Sequence, residues 1–142
     1  MFLGEFVHVL DNKGRLTVPA KFRAELDASF VVTRGIDRCL AVYPISEWER
    51  LAAKVSELPV TDRKARVFRR LLFANASDVS PDGHGRILIP PRLREYADLD
   101  GEVVVAGLNT YIELWSPGAW NGERDQVEEE DFDIDFWAAL GI

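Results

Sequence analysis

Asp11 and Arg15 stand four residues apart across Asn12, Lys13 and Gly14, and Asp82 and Arg86 stand four apart across Gly83, His84 and Gly85. A carboxylate at that spacing can hold a guanidinium in one orientation. A held guanidinium is a rigid fork of donors, matched to phosphate oxygens and to the O6/N7 edge of guanine. Lys13 and His84 occupy the middle of each set. On residue chemistry alone two readings stand. Each Asp–Arg pair stabilises its own turn or a subunit interface, where an exposed pair contributes only ~0–1 kcal/mol. Alternatively, the arginines read DNA in the major groove, which admits a two-stranded ribbon.

Other chemistries find no seat. His8 and His84 are the only histidines and neither belongs to a ligand-spaced cluster, so no metal is expected. No GxxxxGK[ST] loop, nucleophile elbow or Ser/His/Asp set is present. No enzymatic activity, cofactor or small-molecule substrate is expected. Cys39, the single cysteine, lies in an apolar run and is read as a buried structural thiol; it excludes an internal disulfide and suits a reducing cytoplasm.

The elements that must position these residues come in duplicate. DNKGRLTVPAKFR (Asp11–Arg23) returns as DGHGRILIPPRLR (Asp82–Arg94), 71 residues later. Phe2 matches Phe73 at that offset, and Val31–Trp48 matches Val103–Trp120 at an offset of 72. Such a repeat implies two copies of one supersecondary unit, each too small to bury its own apolar face. Each copy reads as a strand, a type I turn, a return strand, a short Pro-opened helix and a second β-hairpin. Arg15 and Thr17 share one face of the return strand, and Leu16 and Val18 the other. Trp48 and Trp120 read as core or interface anchors. Between the copies, Ser46 and Glu49 predict a capping box, and Pro59 ends that helix. Thr61 is expected to cap a second helix. Its Arg63, Arg66 and Arg70 form a stripe read as a solvated face or as pairing with acids nearby, with direct DNA contact as the alternative, and Phe68, Leu71 and Leu72 lie on another face. The fold class expected is mainly β with short helices (α+β). Its units are a first repeat at 1–48, a helical connection at 49–72, a second repeat at 73–120 and an acidic extension at 121–142.

The net charge of −7 is carried by residues 123–135, where eight acids face one base, Arg124; the rest of the chain sums to zero. Such a run is read as a solvated tail, and local charge decides binding. No apolar run is long enough for a bilayer, and MFLGEFVHVL lacks a basic leader region.

MFLGEFVHVLDNKGRLTVPAKFR and DGHGRILIPPRLREYADL resemble the MraZ family of bacterial transcriptional regulators, from Met1 to about Trp120. The resemblance implies an AbrB-like swapped-hairpin β-barrel, with the two half-domains packed as a pseudo-dimer. It further implies assembly into a ring-shaped homo-oligomer. The double-stranded DNA partner would be repeated, G-containing promoter elements of the division and cell-wall gene cluster, which the protein would repress. Asp11 and Arg15 match the family's first DxxxR motif, Asp82 and Arg86 the second, and Lys13 its basic position. His84 departs from that Lys. A ring could present basic turns on one face and acidic tails elsewhere, which reconciles the net negative charge with DNA binding; the location expected is the cytoplasm, at the nucleoid. The competing expectation is a protein-interaction module, such as an antitoxin-like neutraliser, docking through the acidic tail and its Phe132, Ile134, Phe136 and Trp137.

Overall fold

The computed structural model describes residues 1–26, 29–129 and 134–141; Phe132 lies outside them. The first strand, β1 (Phe2–Val9), alternates by side. Phe2 is buried and Phe6 is half-buried, while Leu3, Val7 and Val9 face outward. After a turn comes β2 (Arg15–Thr17), which Pro19 ends because it has no N–H for a ladder. Helix α1 (Ala20–Arg23) follows, then the hairpin of β3 (Phe30–Arg34) and β4 (Leu40–Pro44).

The connection is the helix pair α2 (Ile45–Ser56) and α3 (Arg63–Phe73). Both helices are expected, but both caps differ. Helix α2 starts directly after Pro44, with no side-chain cap from Ser46, because proline's fixed φ already aims the chain into the first turn. Helix α3 is capped by Asp62 instead of Thr61: its carboxylate accepts from Lys64 N at 2.9 Å, the preferred charge at a helix N-terminus. Of the α3 stripe Arg66 is tied to backbone, and so is Arg69, which lies outside that stripe. Arg66 donates to Val60 O, and Arg69 donates to the carbonyls of Val55, Ser56 and Leu58 that end α2.

The second copy supplies β5 (Ser77–Val79), β6 (Arg86–Leu88), α4 (Pro91–Tyr96), β7 (Glu102–Asn109) and β8 (Ile112–Trp115). Helices α5 (Pro117–Glu129) and α6 (Ile134–Ala139) follow. Much of the stretch read as a solvated tail is therefore helical. Helix α5 is tied back to β1: Trp120 Nε1 donates to Glu5 Oε2 at 2.6 Å, and Arg124 Nη1 lies 3.8 Å from Glu5 Oε1.

The expected first hairpin of each copy is half right: its turn forms, but its two strands do not pair with each other. Strand β1 pairs with β7 from Phe2↔Asn109 to Val9↔Glu102, β5 pairs with β3, and β2 pairs with β6. The six-stranded sheet runs β1-β7-β8-β4-β3-β5, and β2-β6 forms a second, two-stranded sheet. Leu16 pairs with Ile87 and Ala41 with Glu113, each residue meeting its own counterpart in the other copy. A pseudo-twofold axis therefore passes through both points.

One core lies beneath both sheets and draws on both copies. Leu16, Val18, Phe22, Leu26 and Phe30 pack with Ile87, Ile89, Leu93, Val103 and Val105. Phe22 is fully buried and meets the rings of Phe2 and Phe6 edge-on at 5.4 and 5.3 Å. Neither copy could exclude water from such a surface alone, which is why the first strands cross over.

Candidate functional site

Each turn is built by its own aspartate. Asp11 O accepts from Gly14 N at 3.0 Å, and Asp11 N donates to Arg15 O at 2.9 Å. Gly14 has φ +80° and Gly85 φ +75°, the left-handed residue that closes a three-residue hairpin loop. The Asp11 carboxylate then fills the loop. Its Oδ1 accepts from Lys13 N at 2.9 Å and Arg15 N at 2.8 Å, and its Oδ2 accepts from Arg15 Nε at 2.7 Å. Asp82 does the same, with Oδ1 on His84 N and Arg86 N at 2.9 Å each and Oδ2 on Arg86 Nε at 2.8 Å.

These donors favour the ionised carboxylate. The backbone N–H of Arg15, and after it the Arg15 side chain and the N–H of Lys13, hold Asp11 below the usual carboxylate value, outweighing lost hydration. Asp82 is held down to about 2, first by the Arg86 N–H. Both acids are therefore charged near neutrality and serve as orienting groups. Each Arg spends Nε on its aspartate, and its Nη1 and Nη2 groups make no hydrogen bond to another described residue.

The two arginines belong to one surface. In the β2-β6 ladder Arg15 pairs with Leu88 and Thr17 with Arg86. All four side chains share the outer face, while Leu16 and Ile87 are buried beneath. Arg15 and Arg86 are diagonal neighbours, roughly 7–8 Å apart. Lys13 and His84 are exposed at the turns, which lie at opposite ends of the ribbon. All six residues singled out by spacing are thus brought to one ribbon.

Arg23 and Arg94, the last residues of the two repeated stretches, join the turns as well. The Arg94 guanidinium lies over Gly14, where a Cβ would meet its Cζ at 2.5 Å, and Arg94 Nε donates to Ile89 O at 3.0 Å. Arg23 lies over Gly85 in the same way and donates to Val18 O at 2.9 Å. Each turn is therefore covered by an arginine from the other copy. The signal was in the sequence: Arg23 and Arg94 are 71 residues apart, the turn offset itself.

No metal-holding group of three or more His, Cys, Asp or Glu occurs among the described residues. Cys39 is fully buried, its thiol donating to Glu113 Oε2 at 3.6 Å, and burial pushes its pKa up. It is structural, as expected. Among the described residues, no helix is long and apolar enough to cross a membrane.

Duplicated β-turn units, crossed over through their first strands and joined at a ribbon of outward arginines, define a tandem-repeat protein of the swapped-strand α+β kind. The chain belongs to the MraZ family, whose model, described as "MraZ protein, putative antitoxin-like", matches residues 1–71 and again 72–139. It is 50% identical over 130 residues to "Transcriptional regulator MraZ" of Thermomicrobium roseum, covering 92% of each chain. The protein of the same name from Halothermothrix orenii is 52% identical over 129 residues, covering 91% of this chain and 90% of that one. That of Pediococcus pentosaceus is 47% identical over 134 residues, covering 94% of each. The family is one of transcriptional regulators and not of enzymes.

Proposed function

We propose that the chain is a sequence-specific DNA-binding repressor of the division and cell-wall gene cluster, acting in the cytoplasm at the nucleoid. Asp11, Lys13, Arg15, Asp82, His84 and Arg86 form its DNA-contacting set. The observation that carries this reading is the outer face of β2-β6, where two oriented guanidiniums stand on one antiparallel ribbon. A ribbon of that width enters a major groove, and 7–8 Å between the arginines matches about two base-pair steps. Asp11 and Asp82 set each fork, Arg15 and Arg86 address guanine edges or phosphates, and Lys13 and His84 sit where phosphates pass. The relatives' printed name, a transcriptional regulator, supports the same reading.

Copies of the chain assemble into a ring, so that several ribbons engage repeated promoter elements with avidity. The crossed first strands and the core shared by both sheets support the swapped-hairpin barrel class. The units are residues 1–48, 49–72, 73–120 and 121–142. The test is a shift assay on the chain's own upstream region with Arg15→Ala, Arg86→Ala and the double variant. The double variant is expected to lose specific binding while keeping its assembly state. Wild-type affinity in that variant would sink the reading.

A second reading, an antitoxin-like interaction module, draws on the acidic run and on exposed Phe136 and Leu140 near it. Truncation after Trp120 separates the two, because loss of a bound protein partner with DNA affinity intact would point to a second function in the tail.

A further inference from the structure

We propose that Arg23 and Arg94 are phosphate-contacting residues delivered in trans between the repeats, so that each DNA-reading turn carries a guanidinium from the other half of the chain. The proposal rests on the DNA-binding reading above and extends it to two residues outside the DxxxR motifs.

Four observations meet here. First, each guanidinium is fixed. Arg94 Nε is bonded to Ile89 O and Arg23 Nε to Val18 O, and each planar group lies flat against a glycine of the opposite turn. Second, the glycines are specific to this contact. Gly14 and Gly85 already need positive φ, and any Cβ would also strike the guanidinium carbon at 2.5 Å. Third, the backbones are tied reciprocally at the same place, Val18 N donating to Gly85 O and Ile89 N to Gly14 O at 2.9 Å each. Fourth, neither arginine makes an ion pair with an acid among the described residues, whereas Arg15 and Arg86 each do.

An arginine whose charge has no acid, whose Nε is spent on the backbone and whose terminal nitrogens adjoin a basic turn is arranged to meet an anion from outside. In a DNA-binding ribbon that anion is a backbone phosphate, since phosphate contacts set register and carry no sequence information. The first turn then presents Lys13 and Arg15 with Arg94, and the second His84 and Arg86 with Arg23. Because each cluster needs both repeats, neither turn is complete on a half-chain.

The experiment uses the full-length assembled protein and two 30-base-pair duplexes, its own upstream region and a mixed sequence, titrated with salt. The variants are Arg94→Gln, Arg23→Gln and, as a comparison, Arg15→Ala. Removing one phosphate contact lowers the slope of log K against log salt by about 0.9 and weakens binding roughly five- to tenfold near 0.1 M salt. Arg94→Gln and Arg23→Gln are expected to do this on both duplexes alike, while Arg15→Ala acts mainly on the upstream one. An unchanged slope in both Gln variants, beside a loss in Arg15→Ala, would leave Arg23 and Arg94 as turn clamps and overturn the inference alone. Undiminished binding by Arg15→Ala would instead overturn the reading beneath it. Should the Gln variants unfold, Arg94→Lys provides the alternative. It keeps the charge but not the flat fork, and must retain the wild-type salt slope; a reduced slope would count against the phosphate contact.

Discussion

The two turns and the two first strands arose from the same duplication and ended very differently. The Asp11 and Asp82 turns agree to within 0.1 Å in every matched hydrogen bond. The first strands do not agree: β1 has eight residues and β5 has three. Phe2 starts β1, but its counterpart Phe73 ends α3 and packs edge-on against Trp48 at 5.8 Å. A turn is closed by its own aspartate and glycine, so two copies converge wherever those residues persist. A strand's length depends on what lies beside it, and the helix pair before β5 replaces sheet that β1 is free to extend.

The largest effect should come from the layer beneath β1. Phe22→Ala removes a ring that touches both Phe2 and Phe6 and is expected to cost about 3–5 kcal/mol of stability. Its counterpart Leu93→Ala, also buried, should cost less, because it loses no ring pair, an advantage of ~0.5–1.5 kcal/mol. Equal midpoint shifts in urea would break the contrast between the long and short first strands.

A smaller difference should separate Gly107 from Gly35, counterparts at an offset of 72. A Cβ on Gly107 would lie 2.6–2.7 Å from the backbone of Phe2 and Leu3, whereas one on Gly35 meets the Cys39 Sγ at 2.5 Å and the nearest backbone atom, Cys39 O, only at 3.0 Å. Backbone in a ladder yields less than a side chain. Gly107→Ala is therefore expected to cost ~1–3 kcal/mol and Gly35→Ala less, as read by thermal unfolding.

The turns differ at two residues, Asn12 against Gly83 and Lys13 against His84, and His84→Lys sharpens the second difference, the one that changes charge. It is expected to raise DNA affinity by less than about tenfold and to steepen the salt slope by up to about 0.9, and Lys13→His to do the opposite. No change in slope for either would mean that the middle residues point away from phosphate.

The smallest effect concerns pH. A carboxylate with a lowered folded pKa stabilises above its unfolded value and loses that contribution as pH falls through the folded value. From pH 7 to about 4 both turns should hold. The Asp82 contribution should fade between its ordinary 3.8 and about 2. Carboxyl carbon shifts followed by NMR would show this, and an Asp82 titrating at the ordinary value would mean that its turn is not closed in solution.

Much of this was legible in the chain. The repeat, both turns, the short helices with Phe22 and Leu93 inward, and the six turn residues all follow from local signals, as does the amphipathic α3. The caps of α2 and α3 were misplaced by one or two residues, because Pro44 and Asp62 compete with Ser46 and Thr61 for the same role. The helicity of residues 117–129 was hidden by Pro117, Gly118 and Gly122 at its start and by the acidic run that follows, and α5 gains from Trp120 and Arg124 reaching Glu5 more than a hundred residues away.

By itself, then, the sequence determined each turn, because every hydrogen bond that builds it lies within five residues of one aspartate. Tertiary structure alone decided which strands pair. An alternating strand specifies which face it buries but not its neighbour, so β1 is as suited to β2 as to β7 until both copies bury one core. That choice placed Arg15 and Arg86 on a single ribbon, and laid Arg23 and Arg94 across each other's turns.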